Sequence, residues 1–123
     1  MISLNKEVVN LLKNDADITA IVKNRIYPNQ PPVDAEKYPI ITYLEIDNIP
    51  NKYADNKVMS SKVAIQLDIW TKNSSSTDLS IKIDKVMFEN KYKRFYTHSL
   101  SEKSTGIQHK IMRYRKLVIE SIN

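Results

Sequence analysis

The chain predicts an α+β fold: a mainly antiparallel sheet of about four to five strands, with N-terminal helices and one helix between strands packed on it. Three observations lead there. Lys62 to Trp70 alternates strictly, with Val63, Ile65, Leu67 and Ile69 on one parity and Lys62, Ala64, Gln66, Asp68 and Trp70 on the other. An extended chain sends successive side chains to opposite faces, so this is a strand with one apolar and one mostly polar face, and we place it at the centre of the sheet. Burying its four apolar side chains is worth roughly 1.5–3 kcal/mol each before entropy is counted. The first two dozen residues instead follow helical spacing, and the last thirty read as two strands around a turn.

Taken in order, Leu4, Val8, Leu11 and Leu12 form a helical stripe that Ser3 can cap and Asn14-Asp15 breaks. A shorter helix starting at Asp15 or Asp17 buries Ile18, Ile21 and Val22. Arg25-Ile26-Tyr27-Pro28 is a short strand stopped by proline, and 29–37 with Pro31-Pro32 is a loop. Pro39 opens a second strong strand, with Ile40, Thr42, Leu44 and Ile46 on one parity and Ile41, Tyr43 and Glu45 on the other. The polar stretch from Asp47 to Lys57, with Pro50 and Asp55-Asn56, reads as a long hairpin loop without a tight two-residue turn. Ser76 or Thr77 caps a helix from about Asp78 to Asn90 whose core stripe is Leu79, Ile83, Val86 and Met87. Ile81 and Phe88 lie on a second line nearly opposite. A helix apolar on two sides is sandwiched or offers one side to a partner, and in so small a chain we favour the partner over Phe88 folding back under a loop. Arg94 to Leu100 is a strand, Ser101 to Gly106 a turn, and Ile107 to Ile119 the last strand. Leu117, Val118 and Ile119 make both of its faces apolar, which a bulge or an interface near Lys116 explains.

At 123 residues, with 41% hydrophobic and 27% charged side chains, the chain fits one soluble domain, 1–123. It has no cysteine, which excludes disulfides, thiolate metal sites and a cysteine nucleophile. Gly106 is the only glycine, so glycine-rich phosphate loops are excluded too. No apolar run nears the roughly 20 residues of a membrane span, and the first residues lack a signal-peptide core. We expect an intracellular, soluble product. The net charge of +5 is uneven: residues 1–90 carry 11 basic and 12 acidic side chains, residues 91–123 carry 8 and 2. Such asymmetry suits a nucleic-acid surface, an acidic partner or a merely solvated face.

Catalytic constellations are missing. His98 and His109 sit across a hairpin, but a zinc site needs three or four ligands. Ser74-Ser75-Ser76 has no elbow or paired base and reads as a connector. Glu45 and Asp68 fall mid-strand on adjacent strands, on an outer face near Lys62 and Tyr43 where ordinary cross-strand pairs form. No enzyme and no cofactor are expected. Lys91-Tyr92-Lys93-Arg94-Phe95-Tyr96, with Lys110, Arg113, Tyr114, Arg115 and Lys116, interleaves cations and aromatics as single-strand nucleic-acid binders do, without matching a recognition signature.

The order of the pieces, with Arg25-Ile26-Tyr27-Pro28, then Pro39-Ile40-Ile41-Thr42-Tyr43, then Gln66-Leu67-Asp68-Ile69-Trp70, resembles the tail-completion (tail terminator, or tail-to-head joining) proteins of long-tailed bacteriophages and prophages. The resemblance covers nearly the whole chain. It implies a structural virion protein without catalytic residues, assembled in the bacterial host cytoplasm into an oligomeric ring, a hexamer, that caps the tail tube and joins the head. The partners implied are other copies of the chain, the tail tube protein and a head-completion or connector protein, with passive contact to DNA passing through the ring and no membrane. The loop implied to touch tube or head carries Asn48, Asn51, Lys52, Tyr53, Asp55, Asn56 and Lys57. Lys110, Arg113, Arg115 and Lys116 are candidates for the DNA path or an acidic partner, and Ile81, Phe88 and Trp70 for the subunit contact. Trp70 either closes the core under the 78–90 helix or anchors that contact. A head-completion connector and a small basic nucleic-acid-binding module remain the alternatives.

Overall fold

A computed structural model describes residues 1–120. Helices α1 (Asn5–Lys13) and α2 (Ala16–Val22) lead into the short strand β1 (Ile26–Pro28). Strands β2 (Ile40–Ala54) and β3 (Lys57–Lys72) follow, then helix α3 (Thr77–Glu89) and strands β4 (Lys93–Glu102) and β5 (Ile107–Ile119). The sheet order is β1-β2-β3-β5-β4, antiparallel throughout except that β1 runs parallel to β2. This is an α+β fold, and β3 is its central strand.

Burial follows the alternation. Val63, Ile65, Leu67 and Ile69 are fully buried beneath the helices, with Met112 and Tyr114 from β5, Ile41 from β2 and the stripe Leu79, Ile83, Val86 and Met87 of α3. Leu4, Val8, Leu12, Ile18 and Val22 close the same core from the first two helices. Asp15 caps α2 by accepting the Ile18 N–H at 3.0 Å, which satisfies one of the orphan amides of the first turn. Leu4, not Ser3, occupies the cap of α1, and the Ser3 hydroxyl reaches only the Asn5 N–H at 3.4 Å. Arg25 fastens the start of β2 by donating to the carbonyls of Ile21, Tyr38 and Pro39; the Tyr38–Pro39 bond is cis.

Three further expectations change. The Asp47–Lys57 stretch is a β-hairpin end, with strand on both sides of a two-residue turn at Asp55-Asn56, not a long loop. Both turn residues have positive φ, 50° and 63°, which Asp and Asn tolerate and which matches the twist of flanking strands. Its polarity misleads because these residues lie past the core, where neither face of the ribbon is covered. Pro50 is tolerated because β1 pairs only with Ile41, Thr42 and Tyr43, leaving the outer edge of β2 unpaired beyond them. Second, β5 pairs with β3 without interruption from Ser60↔Ile119 to Lys72↔Ile107, so there is no bulge near Lys116. Both faces are apolar there because Val118 packs on the core while Leu117 and Ile119 point out of the opposite face. The irregularity lies in β4 instead, between Arg94 and Tyr96. Third, Glu45 and Asp68 do not share a face: Glu45 stands opposite Ile65 on the helix side, and Asp68 faces the other way beside Thr42.

Candidate assembly surfaces

The helices cover one face of the sheet, and the other is open. At its centre, the polar parity of β3 builds a connected cluster. Trp70 stacks on His109 with ring centroids 3.6 Å apart and donates from Nε1 to the Thr42 hydroxyl at 3.0 Å. His109 Nε2 lies 3.0 Å from Asp68 Oδ2, which also accepts from Gln66 Nε2 at 3.2 Å. Gln66 Oε1 in turn accepts from Arg113 Nε at 2.9 Å. Trp70 therefore lies away from α3 and does not close the core beneath it. The cluster ties side chains together across β2, β3 and β5 through Asp68 Oδ2, while among the described residues Asp68 Oδ1 is buried without a hydrogen-bond partner.

Toward β4 the same face carries paired cations and aromatic rings. The Arg113 guanidinium sits 4.6 Å from the Tyr96 ring and that of Arg115 4.3 Å from Phe95. Both rings reach this face because of the β4 bulge, which sets adjacent residues on one side. Leu117 and Ile119 of β5, and Leu44 and Ile49 of β2 on the far side of β3, are exposed on the open face as well.

The four cations singled out from the sequence do not form one surface. Arg113 and Arg115 lie on the open face. Lys110 donates to the Ser80 hydroxyl on α3 at 3.2 Å, and Lys116 reaches Glu7 on α1 at 2.7 Å over the Tyr92 ring. Strand alternation divides them: even positions of β5 meet the helices and odd positions do not.

On the helix side, Ile81 and Phe88 are 63% and 74% exposed, so both stand clear of the core and Phe88 is not folded under a loop. Their helix is held to the last hairpin by Asp84, whose Oδ1 accepts from the Tyr114 hydroxyl at 2.8 Å and from Arg94 Nε at 2.9 Å. Burial pushes the Tyr114 phenol well above its ordinary range, reinforced by the hydrogen bond and charge of Asp84 against a smaller opposing effect of Arg94. Tyr92 is raised chiefly by burial and then by the nearby Glu7 carboxylate, and among the described residues its buried hydroxyl has no partner in hydrogen-bonding geometry.

Of the seven residues named in the hairpin, two are used internally. Asn48 donates to the Ile2 carbonyl and to Glu45, and Asn51 to the Ser60 hydroxyl. Lys52, Tyr53, Asp55, Asn56 and Lys57 are exposed at its end. Sequence reasoning missed Phe95 and Tyr96 as members of the open face, and Lys62 and Lys93 as their neighbours. The cation–aromatic interleaving was the available signal, but the bulge that aligns it leaves no mark in the alternation. Among the described residues no group of three or more His, Asp or Glu side chains is arranged to hold a metal.

Comparison with known families places the chain as a whole. The family model of the tail completion protein gp17 matches residues 6–87, from α1 into α3. The chain belongs to the tail completion protein gp17 family. It is a structural component of a bacteriophage tail and works in contact with other proteins of the tail and head. The family is not known for enzymatic activity. The match takes in both N-terminal helices, the long β2–β3 hairpin and α3 as far as Met87, with Ile81 inside it and Phe88 just beyond, while the β4–β5 hairpin with its cation–aromatic pairs follows it. No curated protein matches the chain. No helix among the described residues is long and apolar enough to cross a membrane.

Proposed function

We propose that this tail completion protein is a tail terminator: one domain, assembled in the host cytoplasm into a hexameric ring that caps the tail tube and presents the surface joined by the head. The observation that carries the reading is the apolar surface one subunit leaves uncovered. Ile81 and Phe88 on α3, and Leu44, Ile49, Leu117 and Ile119 on the open sheet, are all more than a third exposed, and side chains of this kind on two faces suit a subunit with neighbours. In the ring, Ile81 and Phe88 form part of the subunit contact, and Trp70, held on the open face by His109 and Thr42, belongs to it as well. The hairpin end from Lys52 to Lys57 reaches the tube or a head-completion protein, and Arg113 and Arg115 face the DNA path or an acidic partner.

The direct test is to incubate the purified chain with tail tubes and to examine tube ends by electron microscopy and mass by native mass spectrometry. Six copies at one end of each tube are expected. A strict monomer that ignores tubes but binds DNA with a steep salt dependence overturns the reading in favour of a nucleic-acid module. The variant Ile81→Ser/Phe88→Ser should unfold within about 0.5 kcal/mol of wild type, as exposed substitutions do, yet fail to form rings. Marked destabilisation would put these side chains in the core of the subunit instead.

A further inference from the structure

The open face ends, near the hairpin, in a cleft of about 660 Å³ whose lining includes Lys62, Lys91, Lys93 and Arg115, with Phe95 and Leu117 as its apolar part. Among the described residues no acidic side chain lines it. Four cations around one concavity repel one another, and an occupant bearing negative charge relieves that repulsion. At the other side of the sheet, the loop between β1 and β2 makes a turn in which the Ala35 N–H donates to the Pro32 carbonyl at 3.1 Å. Val33 and Asp34 form its tip, and Glu36 follows. Val33 is completely exposed, and both acids are exposed beside it. Pro31 and Pro32 stiffen the approach, so little chain entropy remains to be lost on docking.

We propose that the cleft receives the Val33–Glu36 loop of a second copy of this chain, the carboxylates of Asp34 and Glu36 meeting the lysines and Arg115 while Val33 enters beside Phe95 and Leu117. The proposal rests on the ring reading above and names one contact within it. Two features favour it. The loop joins the edge strand β1 to β2, whereas the cleft lies mainly on β3, β5 and β4, so the complementary patches are at opposite sides of one sheet. A molecule with plug and socket on opposite sides joins head to tail, the heterologous contact that closes into a ring when the rotation permits. Single-stranded nucleic acid is a weaker fit. Its bases need free aromatic faces, and here Arg115 already covers Phe95 at 4.3 Å and Arg113 covers Tyr96 at 4.6 Å.

Two variants test the contact: Lys93→Glu/Arg115→Glu, which reverses the socket, and Asp34→Lys/Glu36→Lys, which reverses the plug. All four positions are exposed, so circular dichroism should report folded proteins. Assembly is followed by light scattering and native mass spectrometry, with tail tubes added throughout. Each variant alone should associate at least about 100-fold more weakly than wild type, since like charges then face each other. An equimolar mixture of the two should assemble again, because plug and socket are complementary at every alternating contact. Wild-type rings with assembly indifferent to either reversal, or lost in both and not restored by mixing, overturn this contact and leave the ring reading standing. Wild type that forms no ring on tubes removes the ring reading itself. Saturable binding of a single-stranded oligonucleotide that Lys93→Glu/Arg115→Glu abolishes, with unchanged assembly, assigns the cleft to nucleic acid and also overturns the proposal.

Discussion

Ile65→Ala should lower the unfolding free energy by about 2–5 kcal/mol, a large part of the roughly 5–15 kcal/mol that holds an ordinary domain together. Ile65 is fully buried at the middle of β3, between Glu45 of β2 and Tyr114 of β5. Its core neighbours are themselves buried, so the space left by the lost methyl and methylene groups collapses only in part. The measurement is a urea titration, read as a lower midpoint at unchanged slope. Leu44→Ala, on the half-exposed side of β2, serves as the contrast and should shift stability by well under half as much. A loss below about 1 kcal/mol at Ile65 would mean that the sheet and helices pack loosely there. The strand that carries Ile65 inward also carries Lys62, Gln66 and Asp68 outward, so loosening it should also disturb the open face.

The second large effect is a loss of stability at alkaline pH. Tyr92 and Tyr114 are both held protonated beyond their ordinary range in the folded chain. Below about pH 10 the folded and unfolded chains both keep these protons, and the stability they confer is fully present. Above that value the unfolded chain releases protons that the folded chain retains, so each added pH unit favours unfolding. The slope is about 1.4 kcal/mol per pH unit for each tyrosine, until the folded-state values are reached. Urea midpoints between pH 8 and 11.5 should therefore fall steeply. Replacing either residue with Phe should halve the tyrosine part of that slope. The two replacements should differ at neutral pH: Tyr114→Phe gives up the bond to Asp84 and costs about 1 kcal/mol, whereas Tyr92→Phe removes a hydroxyl that has no partner and costs little or nothing. An alkaline profile unchanged by both replacements would count against buried, protonated tyrosines.

The parts of the fold legible in the sequence are those where one face of an element meets the core. Val63, Ile65, Leu67 and Ile69 announce β3 because burial selects every second residue, and Leu79, Ile83, Val86 and Met87 announce α3 in the same way. The hairpin end was hidden because its residues bury neither face, and its strand character comes from the ladder and from the left-handed pair Asp55-Asn56. The grouping of the cations was hidden for a different reason. Lys110 and Lys116 are within a few positions of Arg113 and Arg115, but side-chain direction depends on parity, and a long lysine can cross to a helix to meet Ser80 or Glu7. Ile81 and Phe88 were legible as a second apolar line, and their exposure follows from the first line's claim on the core. The cation–aromatic face required the register of β4 on β5, which depends on a bulge that composition does not reveal.

The unbroken length of β3 has a consequence for the shape of the subunit. Sixteen residues of strand extend over about 50 Å, whereas a compact ball of this many residues is only about 35 Å across. The subunit is thus drawn out into a stave, with the Asp55-Asn56 turn at one tip. Its accessible area of 7863 Å² exceeds the roughly 6,800 Å² usual for a compact monomer of its mass. The excess, on the order of 1,000 Å², resembles what each partner of a standard protein–protein interface gives up. In the ring we propose, staves laid side by side recover such an excess along their flanks, and the surface that costs a lone chain its compactness is the joint between neighbours.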